Sequence, residues 1–231
     1  GDFKNITRDF MLLMSLLAPI LIAIVAKFGV PLAAEMLARE LNFNLLPHYR
    51  FIISFTLVLI PLILGMLVGF ILLEERDENI LLYFSVTPLT KTGYLLYRIL
   101  IPVVVSVVFS YLAIGFADLV KVKWIRILPG VLMAGMEAPL MALFLAAFAS
   151  NKVEGFALAK GSGILFAAPL AGYLINSHWQ LVAGICPPYW VSKLFLASYN
   201  LINYWWYVVG GIIVHLVLFW TLLNKFNQKI E

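Results

Sequence analysis

Six stretches of the chain are almost wholly apolar, and short polar segments separate them. A membrane-spanning helix takes about 20 apolar residues. The pattern predicts spans over 10–30, 51–73, 99–119, 128–149, 161–181 and 205–223. The apolar and polar positions between these spans predict further elements. Phe3, Ile6 and Phe10 share one helical face ahead of the first span, with Lys4, Arg8 and Asp9 elsewhere, which predicts an interfacial helix lying along the membrane. Pro31 is expected to end the first span, beyond a Lys27 placed to snorkel to the interface. Residues 32–50 are mixed, with Glu35 and Arg39 at i,i+4, and predict a short amphipathic helix outside the bilayer. Residues 182–204 are apolar, but Pro187-Pro188 breaks them. Trp190, Val191, Leu194 and Phe195 then make one face, so a re-entrant or interfacial helix is expected before the last span. The fold class predicted is an all-α integral membrane protein, a single transmembrane domain over 1–231.

Composition sharpens this picture. The 231 residues are 63% hydrophobic and only 12% charged, and the mean hydropathy is +1.00. Soluble domains carry about twice that share of charge. A soluble enzyme, a disordered chain and a disulfide scaffold are excluded, and six spans leave no room for a catalytic domain. The formal net charge of +4 points to anionic lipid head groups rather than nucleic acid. The single Cys186 forms no internal disulfide. His48, His178 and His215 are far apart and carry no metal-ligand spacing. The first apolar run is long enough to span and lacks a small-residue cleavage end, so no cleavable signal peptide is expected. With both termini inside, nine basic residues fall inside and seven outside. The positive-inside rule thus favours cytoplasmic termini, although the basic segment at 121–126 opposes it.

The chain has no GxxxxGK[ST], no HExxH and no GxSxG. No serine or cysteine is paired with a base, and no polar cluster gathers at one depth. The second span holds Gly65-Met66-Leu67-Val68-Gly69, a small-xxx-small pattern that serves packing within the chain or a subunit interface. Glu137 falls mid-span, where a carboxylate is costly unless protonated, paired or facing water. Pro139, two residues on, frees a backbone carbonyl. A structural hydrogen bond from a protonated Glu137 to that local backbone is favoured over a proton or substrate role. His215 and Asn176 are expected to be satisfied by packing. The sharpest signal follows the second span. Glu74-Glu75-Arg76-Asp77-Glu78-Asn79 holds four of the twelve acidic residues and cannot lie in hydrocarbon. The apolar run at 80–84 directly behind it predicts a short helix that docks another protein.

These residues carry a resemblance. The run from Leu72-Leu73-Glu74-Glu75-Arg76-Asp77-Glu78-Asn79-Ile80-Leu81 through Val86-Thr87-Pro88-Leu89 to Tyr94-Leu95-Leu96-Tyr97-Arg98 resembles the first cytoplasmic loop of type-two ATP-binding-cassette export permeases. The likeness is strongest to the fluoroquinolone-export-like branch. Arg8-Asp9 with Ala18-Pro19 is similar to the branch's first span. Glu137-Ala138-Pro139-Leu140 through Ala149-Ser150-Asn151-Lys152-Val153-Glu154-Gly155 is similar to its fourth span and second loop. Pro187-Pro188-Tyr189-Trp190 is similar to its outer proline-aromatic segment. The likeness covers most of the chain in order. Asn79 departs from it, standing where the family commonly has glycine.

The resemblance implies the transmembrane subunit of an exporter in a prokaryotic plasma membrane. It implies a second permease subunit, identical or related, and a separate ATPase subunit that holds ATP and magnesium. This chain itself would hold no cofactor and catalyse nothing. Residues 74–84 would form the coupling helix. Asn151, Lys152 and Glu154 would make a smaller second contact. Gly65, Gly69 and Glu137 would lie at the subunit interface or substrate pathway, and Pro187, Pro188 and Trp190 at the outer gate. An amphipathic or hydrophobic drug, peptide or lipid would be the substrate. A proton- or ion-coupled carrier using Glu137 stands as the alternative, although no inverted repeat is evident. An intramembrane lipid-modifying enzyme and a purely structural subunit stand behind it.

Overall fold

The computed structural model describes residues 10–78 and 90–230. Among them the chain is helical, with no strand. The predicted interfacial helix at 1–9 and the docking run at 80–84 with its Thr87-Pro88 turn lie outside the described residues. Six helices are long and apolar enough to cross a membrane: Leu17–Leu41, Leu46–Asp77, Tyr97–Ala117, Trp124–Phe148, Lys152–Leu174 and Tyr204–Lys229.

The first of these joins α1 (Phe10–Ile24) to α2 (Val30–Leu41) through a π-helical turn, Val25–Gly29. Pro31 therefore does not end the span. A proline clashes with the carbonyl four residues back in an ordinary helix. The wider π turn just before Pro31 relieves that crowding, and Pro31 occupies the first turn of α2, where no N–H is needed. The Glu35–Arg39 ion pair forms as the spacing predicts, but on a continuation of the span rather than a separate helix. α2 ends at Asn42, whose φ of 50° gives a left-handed cap.

The interior is built by α3 (Tyr49–Asp77) and α5 (Trp124–Phe148), which pack against each other along their length. Small residues set their approach. A Cβ at Gly65 would lie 2.3 Å from the Ala138 carbonyl oxygen and 2.8 Å from Met141. A Cβ at Gly69 would lie 2.9 Å from Leu145. The glycine pair is thus packed against α5 within this chain. α4 (Thr90–Ala117) covers the far side of α5, where Gly135 lies against Val103 and Val107. α9 (Tyr204–Ile230) covers another side.

Two further elements differ from the sequence pattern. The segment read as a polar loop at 151–155 is the start of a helix. α6 (Lys152–Gly161) runs through the 3-10 segment Ser162–Phe166 into α7 (Ala167–Leu174), which moves the fifth apolar helix toward the N-terminus. The broken outer segment becomes the 3-10 stretch His178–Ile185 and then α8 (Pro187–Ala197). α8 buries Tyr189, Trp190, Val191, Leu194 and Phe195 against the bundle, and Trp190 Nε1 donates to the Gly184 carbonyl at 2.6 Å.

Candidate functional site

The charged residues that follow the second span are brought together with others at one end of the bundle. α5 ends there, leaving carbonyls without helical partners. Arg76 fills two of them, donating to the Ala146 and Ala149 oxygens at 2.9 Å each. Lys229, from the last turn of α9, donates to Ala149 O at 2.6 Å and Ala147 O at 3.3 Å. Cations at a helix C-terminus are also favoured by its dipole.

Three further contacts tie the neighbouring helices to this point. Glu75 pairs with Arg98 of α4, both largely buried. Glu74 pairs with Lys152 of α6 at 2.8 Å. Asn151 caps α6 by accepting from the Glu154 N–H at 3.0 Å, while the Glu154 carboxylate accepts from the Ser150 N–H. This arrangement is a capping box shifted by one residue at the carboxylate, which reaches the N–H before the cap. Gly155 then lies against Leu73 and Phe70, and Phe70 stacks near Phe156 with centroids 4.5 Å apart. Removing the cap in Asn151→Ala is expected to cost about 1 kcal/mol. A thermal-unfolding series in detergent would read this as a drop of a few degrees.

Of the nine residues singled out here by sequence, Glu74, Glu75, Arg76, Asn151, Lys152 and Glu154 are engaged in this internal knot. Asp77, 3.8 Å from Arg76, and Glu78 are left on the surface. Asn79 lies outside the described residues. Arg98 and Lys229 complete the knot, and sequence reasoning did not single them out as site residues. The available signal was their position, since each is a cation at the end of a span opposite an acidic or carbonyl-rich terminus.

A cavity of about 540 Å³ opens between α5, the α6–α7 helix and α9, with Pro187 and Pro188 at one part of its wall. Its lining is chiefly Leu140, Met141, Phe144, Phe148, Leu165 and Leu222. Glu137 lies in this wall, 1% exposed, and neither carboxylate oxygen has a hydrogen-bond partner. The local backbone bond expected for it does not form. The carbonyl freed by Pro139 belongs to Gly135, whose face is turned to α4, and residues two apart on a helix do not face each other. Cys186 lies near enough that burial first, and the Glu137 charge second, push its thiol above the ordinary value. Trp190 is not part of this wall; it fills the space beside Gly210 and Gly184.

Comparison with known proteins gives a consistent result. The family described as fluoroquinolones export permease protein Rv2686c-like matches residues 2–223. Two relatives from Mycobacterium tuberculosis are each 30% identical over 99% of this chain and 92% of their own length. They are the fluoroquinolones export permease protein Rv2686c of strain H37Rv and its counterpart MT2760 of strain CDC 1551. No solved structure matches.

Proposed function

The chain belongs to the Rv2686c-like family of export permeases and is a multi-pass plasma-membrane protein, and from that premise we propose that it is the membrane-spanning subunit of an ATP-driven drug exporter. Two such subunits, identical or related, pair in the membrane, and each engages an ATP-binding-cassette ATPase that holds the ATP and magnesium. The charged end faces the cytoplasm together with both termini.

One observation carries this reading: a single charged knot fastens α3, α4, α5, α6 and α9 at one end of the bundle. A motor acting on that end moves five helices at once. Asp77 and Glu78, left outward beside it, are the charges a partner meets first. The segment 74–84 acts as the coupling element, with the start of α6 as the second contact. Pro187, Pro188 and Trp190 form the outer gate. The substrate is an amphipathic drug, and the fluoroquinolones named for the relatives are the first class to test.

ATP binding must favour one access state over the other by several kcal/mol if transport is to be driven. The test is co-purification. The chain expressed with its candidate ATPase and reconstituted is expected to show ATP-dependent drug efflux and drug-stimulated ATPase activity. Efflux that proceeds without ATP and collapses with the proton gradient would overturn the reading in favour of a secondary carrier using Glu137.

A further inference from the structure

One face of α9 lines the cavity between α5, the α6–α7 helix and α9. Leu218, Thr221, Leu222 and Lys225 stand on it at i, i+3, i+4 and i+7. On α5 the wall runs from Glu137 to Phe148, which is about 16 Å of helix. The cavity is therefore elongated along the bundle. Glu137 and the Pro187–Pro188 pair belong to one end, and Phe148 and Lys225 to the other.

Only one end offers a charge that an occupant can meet. Glu137 and Lys225 are the ionisable residues of the lining. Both Glu137 oxygens are sealed within the bundle. Lys225 is exposed. Its Nζ stands 4.0 Å from the centroid of the Phe148 ring, and Phe148 leans on Phe144 with centroids 5.3 Å apart. Both rings belong to the wall, so they hold the ammonium at the end of the cavity. A ring face attracts the cation but leaves N–H donors open.

The neighbours of Lys225 are already engaged. Lys229, one turn further along α9, donates to the α5 carbonyls, as does Arg76. The Glu154 carboxylate accepts from the Ser150 N–H. Among the described residues no carboxylate comes within ion-pair distance of Lys225. The hydroxyls of the lining are engaged as well. Ser162 donates to Ala159 O at 2.6 Å, and Thr221 to Leu218 O at 2.9 Å. The cavity thus presents apolar walls and, at one end, an ammonium without a counter-charge.

The geometry points to a site for an amphipathic anion with a single apolar body. The body fills the cavity, and the anionic head accepts charge-assisted hydrogen bonds from Lys225 Nζ. The volume of about 540 Å³ is that of a drug-sized pocket. Its length suits an extended chain or a row of fused rings. The assignment rests on the export reading in one respect: the occupant is taken to be the exporter's cargo.

The test needs the full chain alone, in phosphatidylcholine nanodiscs, and three fluorescent probes with one apolar body. These are pyrenebutanoic acid, neutral pyrenebutanol and pyrenebutylamine, each corrected for binding to empty discs. The native chain is expected to bind the acid about tenfold tighter than the alcohol, and the amine no tighter than the alcohol. Equal affinities for acid and alcohol would overturn the proposal without recourse to any variant. Lys225→Gln is expected to bring the acid down to the alcohol's affinity, and Lys225→Arg to keep the preference. An acid preference that persists in Lys225→Gln would overturn the assignment. Leu218→Trp narrows the cavity without touching the charge, and is expected to weaken acid and alcohol alike. Unchanged acid binding there would place the anion on the surface, outside the cavity, and overturn the site. Dodecanoate doped into the discs is expected to displace the acid probe, and two-tailed phosphatidylglycerol at the same mole fraction is not. Displacement by phosphatidylglycerol alone would give the site to bulk lipid and overturn the single-bodied ligand. No ATPase is present in these measurements, so failure to find an ATPase partner, which sinks the export reading, leaves the binding result standing.

Discussion

Gly65→Val is expected to prevent recovery of a folded bundle, whereas Gly163→Val is expected to be neutral. The reason lies in what each new side chain would meet. At Gly65 the first added carbon would sit 2.3 Å from a backbone carbonyl of α5, and helix backbone cannot swing aside as a flexible side-chain tip can. The two helices would have to part along the interface that holds the interior together, which strips contacts from Ala138 and Met141 as well. Overpacking a core costs typically 1–3 kcal/mol, and a backbone clash places this variant at about 3 kcal/mol or above. Apolar spans in lipid have no hydrophobic drive to associate, so close packing is a main attraction that is lost. At Gly163 nothing lies within 4 Å of an added Cβ and the backbone φ is not positive. Surface changes of that kind stay within about 0.5 kcal/mol. Fluorescence-detected size-exclusion after a heating series checks both. A monodisperse, heat-stable Gly65→Val would show that α3 and α5 do not pack this way.

The same glycines show where the sequence was legible and where it stopped. The bilayer demands long apolar helices, so the six spans and the all-α class could be read from hydropathy alone. The GxxxG pattern announced a close approach, but spacing cannot say which helix approaches. That information resides in the opposite wall, in Ala138, Met141 and Leu145. Pro31 was misleading because a proline rule written for the ordinary helix does not cover a preceding π turn. The 151–155 segment was misleading because charge in Lys152 and Glu154 was read as loop, although Asn151 followed three residues later by Glu154 is a helix-start signature. The residues at 74–79 were legible as a charge cluster. Their division into engaged and outward-facing members depends on Arg98, Lys152, Lys229 and the α5 carbonyls, which lie far away in sequence. Glu137 was singled out because a mid-span carboxylate is conspicuous. His215 was set aside as packing; its Nδ1 does donate to the Gly211 carbonyl, while Nε2 finds no partner.

That division of the charge cluster leads to the second large effect. Glu75→Lys is expected to destroy the fold, and Asp77→Lys to spare the fold while uncoupling the transporter. Both reverse one charge within the same turn of α3. Glu75 is 9% exposed and faces Arg98. Reversal leaves two buried cations against each other, and loss of one partner from a buried pair already costs about 3–5 kcal/mol. The swap Glu75→Arg with Arg98→Glu restores opposite charges and is expected to recover part of the folded yield. The Asp77 side chain is 39% exposed and lies at 3.8 Å from Arg76, a separation at which a surface pair contributes at most about 1 kcal/mol. Its reversal therefore leaves the melting temperature nearly unchanged. A reversed charge against a complementary partner surface costs several kcal/mol of association, and each 1.4 kcal/mol is tenfold in affinity. In reconstituted vesicles with the ATPase present, Asp77→Lys is expected to lower drug-stimulated ATPase activity at least tenfold with insertion and monodispersity intact. Full stimulation in a well-folded Asp77→Lys would separate this end of the bundle from the motor. Folded, active Glu75→Lys would instead break the account of the knot, which rests on the buried Glu75–Arg98 pair.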